Sequence, residues 1–138
     1  MKCVSYTQTI PWKNHKGELT IADQNQRIAE YLAEHKELNL QKKYSDRKNA
    51  ENAGAAFDKM IDDGVERKFD CIIVASMYYC GPDFPAARQA IKDREWYGYA
   101  FGLPDRHPTV FYRGAVRCPH GVGLFPSGRV GNVWRVVV

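Results

Sequence analysis

The chain has 138 residues, of which 44% are hydrophobic and 26% charged, with four cysteines and a net charge of +4. That length holds one hydrophobic core, so a single domain, or a domain with an appendage, is expected. No apolar run approaches the roughly 18 residues a membrane-spanning helix needs, and Met1-Lys2-Cys3-Val4-Ser5 opens without a long apolar stretch or a cleavage site. A soluble, cytoplasmic protein with no membrane partner is therefore expected. The charge is uneven: residues 1–94 hold 15 basic against 14 acidic side chains, and residues 95–138 hold 5 against 2. The larger part is nearly neutral, so composition gives no support to strong duplex binding, which rests on phosphate neutralisation.

In chain order, Lys2 to Thr7 is short and partly β-branched and reads as a strand, running into the polar loop Pro11 to Gly17. A helix is expected from about Thr20 to Lys36. Thr20-Ile21-Ala22-Asp23 has the form of a capping box, with Asp in place of the usual Glu. Ile21, Ile28, Tyr31 and Leu32 recur at near-helical spacing, with Gln24 to Arg27 read as the polar face. Leu38 to Tyr44 reads as a second strand, and Glu51 to Asp63 as a second helix stopped by Gly64. Phe69 to Ser76 is a nearly continuous apolar run, the mark of a parallel strand covered on both faces. Cys3 and Cys71 fall in such core strands, where a thiol acts as a small hydrophobe, and no spacing resembles a disulfide framework.

A helix from Pro85 to Asp93 and a strand from Trp96 to Phe101 follow. Alternating strands and helices imply an α/β fold: a mostly parallel open sheet with flanking helices. Ligands of such sheets bind at the carboxyl ends of the strands. The segments after Thr7 and after Ser76 would both open there.

Residues 95–138 differ in character. Lysine outnumbers arginine ten to four before residue 94, whereas from Arg94 onward there are six arginines and no lysine. Gly121, Gly123, Pro126, Gly128 and Gly131 exclude a long helix, leaving short strands at Thr109 to Tyr112 and Val130 to Val138. The expected division is an α/β domain at 1–94 and an atypical segment at 95–138 that completes it or is appended to it. A frameshift or fusion beyond residue 93 would account for the change in composition. Cys118-Pro119-His120, with Cys80 and His107 elsewhere, lacks the paired spacing of a zinc site, and Gly121-Val122-Gly123 lacks the strand and helix of a phosphate loop. No metal and no cofactor are expected.

Several motifs, in order, resemble those of the serine recombinase (resolvase/invertase) catalytic domain over roughly residues 1–94. Tyr6 matches the tyrosine of Tyr-x-Arg-x-Ser at the end of the first strand, and Gln26 matches a glutamine near the start of the first helix. Tyr44-Ser45-Asp46 matches Tyr-x-Asp after the second strand, and Phe69-Asp70-Cys71-Ile72-Ile73-Val74 matches the third strand. The resemblance implies a resolvase-like sheet and, in active members, a serine that attacks a DNA phosphate while arginines carry the charge developing on its oxygens.

Those residues are missing. Gln8 stands where the first arginine would be and Ile10 where the nucleophile would be. In the loop Met77 to Pro82 the family's aspartate and two arginines fall on Tyr78, Tyr79 and Pro82, and a second serine falls near Asn49. Loss of one preorganised donor costs roughly a 10²- to 10³-fold factor in rate, and here the nucleophile is lost as well. The expected function is a recombinase-type domain of mobile-element origin without strand-cleaving activity, with DNA bound weakly, a protein partner, or self-association as its contacts. The alternative is a small α/β domain binding a small anion or nucleotide in the vestigial cleft. Of the vestigial positions, Tyr6 also suits packing against a helix, Asp46-Arg47-Lys48 suits a solvated turn, and Tyr78-Tyr79 suits a packed loop.

Overall fold

The computed structural model describes residues 1–9, 19–47, 54–76, 79, 84–101, 107–113, 128–130 and 133–136. In chain order they form β1 (Lys2–Gln8), α1 (Ile21–Glu34), β2 (Asn39–Asp46), α2 (Ala55–Val65), β3 (Cys71–Val74), α3 (Phe84–Asp93), β4 (Trp96–Phe101), β5 (Thr109–Arg113), β6 (Gly128–Val130) and β7 (Val133–Val136). Among the described residues these strands make one sheet in the order β2-β1-β3-β5-β4-β7-β6. It is the α/β sheet with flanking helices that the strand–helix alternation implies. β1 pairs in parallel with β2 and β3, and from β3 outward the pairings with β5, β4, β7 and β6 are antiparallel. Among the described residues no helix is long and apolar enough to cross a membrane.

Strand periodicity divides the core into two layers. Val4, Tyr6, Ile72 and Val74 face α2 and α3, packing with Phe57, Met60, Ile61 and Ile91. Cys3, Cys71, Ile73 and Ala75 face the other way, against Ile28 and Leu38 beside α1. Cys3 and Cys71 are fully buried and directly paired across β1 and β3, as small core hydrophobes. The contact with the Cys3 thiol, and then burial, push the Cys71 thiol above its usual range.

The capping box at the start of α1 forms as the sequence indicates: Thr20 Oγ1 accepts from the Asp23 amide at 3.1 Å, and the Asp23 carboxylate accepts from the Thr20 amide at 3.4 Å. The polar face expected of α1 is corrected at one residue, because Gln24 is fully buried. The role expected of Gly64 is also corrected. It lies inside α2, and the left-handed residue beyond the helix end is Arg67, at φ 59°. A Cβ on Gly64 would stand 3.2 Å from both Phe69 Cζ and Trp96 Cζ2, so the glycine serves packing.

The segment after residue 93 continues the same sheet. Gly98 lies opposite Phe111, and a Cβ there would come within 2.6 Å of the Phe111 ring. Arg113, at the end of β5, donates to the Phe69 carbonyl at 2.8 Å and lies over the Trp96 ring. The single strand expected at Val130 to Val138 is instead an antiparallel pair, β6 with β7.

Candidate functional site

At the carboxyl ends of β1 and β2 the residues Tyr6, Gln8 and Asp46 come together, and all three are buried. Parallel pairing sets Tyr6 beside Tyr44 and Gln8 beside Asp46. Tyr6 donates its phenol proton to Asp46 Oδ2 at 2.6 Å, and the Gln8 side-chain oxygen lies 3.3 Å from the same hydroxyl. The Tyr6 ring also packs edge-on against Phe57, with centroids 5.5 Å apart. The phenol is thus both a packed strand aromatic and a hydrogen-bond donor.

Asp46 is not part of a solvated turn, and the reason lies in α2. That helix starts after Gly54, at φ 92°, which has no side chain to cap it. The orphan amides of a first helical turn need acceptors. Asp46 reaches across from β2 and accepts from the Ala56 amide at 3.1 Å with Oδ1 and from the Phe57 amide at 3.0 Å with Oδ2. A carboxylate there also meets the positive end of the helix dipole. The helix N-terminus that faces this strand edge is therefore already filled by an internal anion.

A second line of bonds starts at Gln8. Its amide donates to Gln24 Oε1 at 3.0 Å and its carbonyl accepts from Gln24 Nε2 at 2.6 Å, so the side chain of Gln24 acts as a short strand beside β1. Gln24 Nε2 also donates to the Leu19 carbonyl at 3.0 Å. The Leu19 amide in turn donates to the Tyr79 hydroxyl at 2.8 Å, and the Tyr79 amide bonds the Ser76 carbonyl just beyond β3. Tyr79 is itself buried. The bonded line runs without a break from Asp46, through Tyr6, Gln8, Gln24 and Leu19, to Tyr79. Arg27 ends beside it, donating to the Ala75 carbonyl at 3.3 Å.

Of the residues singled out in the sequence, Tyr6, Gln8, Asp46 and Tyr79 belong to this line. Ile10, Asn49, Tyr78 and Pro82 lie outside the described residues, as do Cys80, Cys118 and His120. Gln26 does not belong to it. It is exposed and bonds Glu30 at 3.1 Å one turn on. The glutamine that faces the strand ends is Gln24. Its signal was present in the helical phase, because residues 24, 28 and 31 share one face and Ile28 is buried there. Leu19 and Arg27 carry no comparable signal. A backbone contact and a long side chain reaching a carbonyl leave no mark in residue spacing.

No protein-family model matches the chain, and no curated protein matches it. Among solved structures it is similar to the N-terminal catalytic domain of TP901-1 integrase, with a TM-score of 0.51 and 20% sequence identity, over 67% of this chain and 68% of that one. At that identity the likeness is one of fold. The chain shares the α/β fold of that domain over the matched residues.

Proposed function

We propose that this chain is a degenerate serine-recombinase catalytic domain of mobile-element origin, which keeps the fold and does not cleave DNA. The observation that carries the reading is the state of Gln8. At the position where the resemblance places an arginine, this chain has a neutral, buried side chain whose backbone is tied on both sides by Gln24. A guanidinium would be required there to stabilise charge developing on phosphoryl oxygens. Tyr79, aligned with a second arginine, supports the same reading, since its hydroxyl is already engaged by the Leu19 amide.

Asp46 adds a physical reason. A phosphate approaching this edge would meet a carboxylate in place of free helix-terminal amides. In this reading the retained fold serves contact with a partner, either a protein or weakly bound duplex DNA in the cytoplasm, and residues 95–138 complete the sheet as one domain with residues 1–94.

Duplex binding measured by fluorescence anisotropy across a salt series tests the DNA contact. The expected result is weak binding that falls as salt rises, with a shallow slope reflecting few neutralised phosphates. Binding that is tight and sequence-specific at physiological salt would contradict a domain stripped of its DNA chemistry.

A further inference from the structure

A cavity lies away from the carboxyl edge, between the edge strand β2, the end of α2 and the segment entering β3. Its volume is about 310 Å³. The floor is apolar, made by Val4, Tyr44 and Phe69, and the rim carries Lys42, Lys59 and Lys68. One wall is Asp63, whose side chain is only 4% exposed. Nothing in the proposed function uses these residues.

The ammonium groups are held in place from within. Asp63 accepts from the Tyr44 hydroxyl at 2.5 Å and pairs with Lys59 at 3.1 Å and Lys68 at 3.3 Å. Lys68 also reaches Glu66 at 3.0 Å, and its own amide is tied to the Asp63 carbonyl. Lys42 lies over the Tyr44 ring, 4.8 Å from its centroid. An ammonium has three donors, and Asp63 takes one from Lys59, while the side chains of Lys59 and Lys68 remain 60% and 56% exposed. Three lysines face one buried carboxylate and one exposed one, which leaves the cavity net positive. The bonds to Glu66 and Asp63 raise the Lys68 pKa, and the bonds from Tyr44 and Lys59 hold the Asp63 carboxyl well below the usual range, so both stay charged at neutral pH.

We propose that this cavity is a phosphate-binding site, in which Lys42, Lys59 and Lys68 grip the oxyanion and Tyr44 and Phe69 support the carbon group attached to it. Buried Asp63 is the residue that orients two of the three ammonium groups. The site stands independently of the recombinase reading, because it shares no side chain with the Tyr6–Asp46 edge.

Titration of the ¹⁵N-labelled full chain with inorganic phosphate, at ionic strength held constant with sodium chloride, tests the site by NMR. Saturable shifts centred on residues 42, 59 and 68 are expected. Lys42→Met, which leaves the Asp63 pairs untouched, weakens the affinity about tenfold, and Lys59→Met with Lys68→Met abolishes it. Shifts no larger than those from chloride, shifts spread over the surface, or an affinity unchanged in Lys42→Met would overturn the proposal. A short duplex oligonucleotide identifies the source of the phosphate. If it moves the same lysine signals, the ligand is a nucleic-acid backbone; if only inorganic phosphate moves them, it is a small phosphate compound.

Discussion

Two tyrosine–aspartate pairs hang on β2, two residues apart, and they have opposite companions. Asp46 takes the Tyr6 hydroxyl at 2.6 Å and fills its remaining capacity with two backbone amides of α2. Asp63 takes the Tyr44 hydroxyl at 2.5 Å and fills its remaining capacity with two lysines that reach solvent. The same pair of groups thus makes a sealed joint in one place and an anchored, outward-facing cationic rim in the other. Companions decide the outcome. Backbone amides are fixed and consumed, whereas each ammonium keeps donors for something else. By this measure the described polar groups at the carboxyl edge are engaged with one another, and an open, charged surface lies elsewhere.

Substitutions should separate the two pairs, the sealed one giving the larger losses. Asp46→Ala strands the Tyr6 hydroxyl and two helix-terminal amides together and should lower unfolding free energy by about 4 kcal/mol, read from the urea midpoint. Gln24→Ala should cost about 2–3 kcal/mol by orphaning the Gln8 amide and carbonyl. Gln26→Ala, on the exposed side of the same helix, should stay within about 0.5 kcal/mol; equal losses from the two glutamines would remove Gln24 from the site. Gly98→Ala should cost about 1–3 kcal/mol by overpacking against Phe111, and a neutral result would detach the C-terminal strands from the core.

The outward pair should show its smaller contribution as pH dependence. Tyr44→Phe should cost about 1–2 kcal/mol at neutral pH. The carboxyl of Asp63 is held below its ordinary range, first by the bond from Tyr44, so its stabilisation is complete above pH about 4 and is lost as pH falls further. Burial, and then the bond to Asp63, raise the phenol of Tyr44, so its share is complete below pH about 10 and is lost as pH rises beyond. Both limbs should be shallower in Tyr44→Phe when stability is followed by urea unfolding from pH 2 to 11. Unchanged limbs would mean that the pair contributes nothing to the pH profile.

Much of the fold is legible in the residues. The capping box at Thr20, the apolar run through Cys71–Val74 and the strand Trp96–Phe101 stand where local pattern puts them. What local pattern cannot hold is the partner across the sheet. The antiparallel entry of β5 between β3 and β4 depends on long-range register, and the packing role of Gly64 depends on Phe69 and Trp96 meeting it. The site divides in the same way. Tyr6, Gln8 and Asp46 are marked by their order along the chain. The burial of Asp46 came instead from the needs of an uncapped helix ten residues away, which the sequence expresses only as Gly54 at its start.

The central proposal is that the strand edge at Gln8, where Gln24 and Asp46 already engage the described polar groups, carries no phosphoryl-transfer chemistry. Incubation of the full chain with supercoiled and linear duplex DNA, followed by denaturation and mass spectrometry of the protein, tests it most directly. The account predicts unmodified protein and uncut DNA at every protein concentration. A covalent protein–DNA adduct, above all one attached through Thr9 at the end of β1, would contradict it.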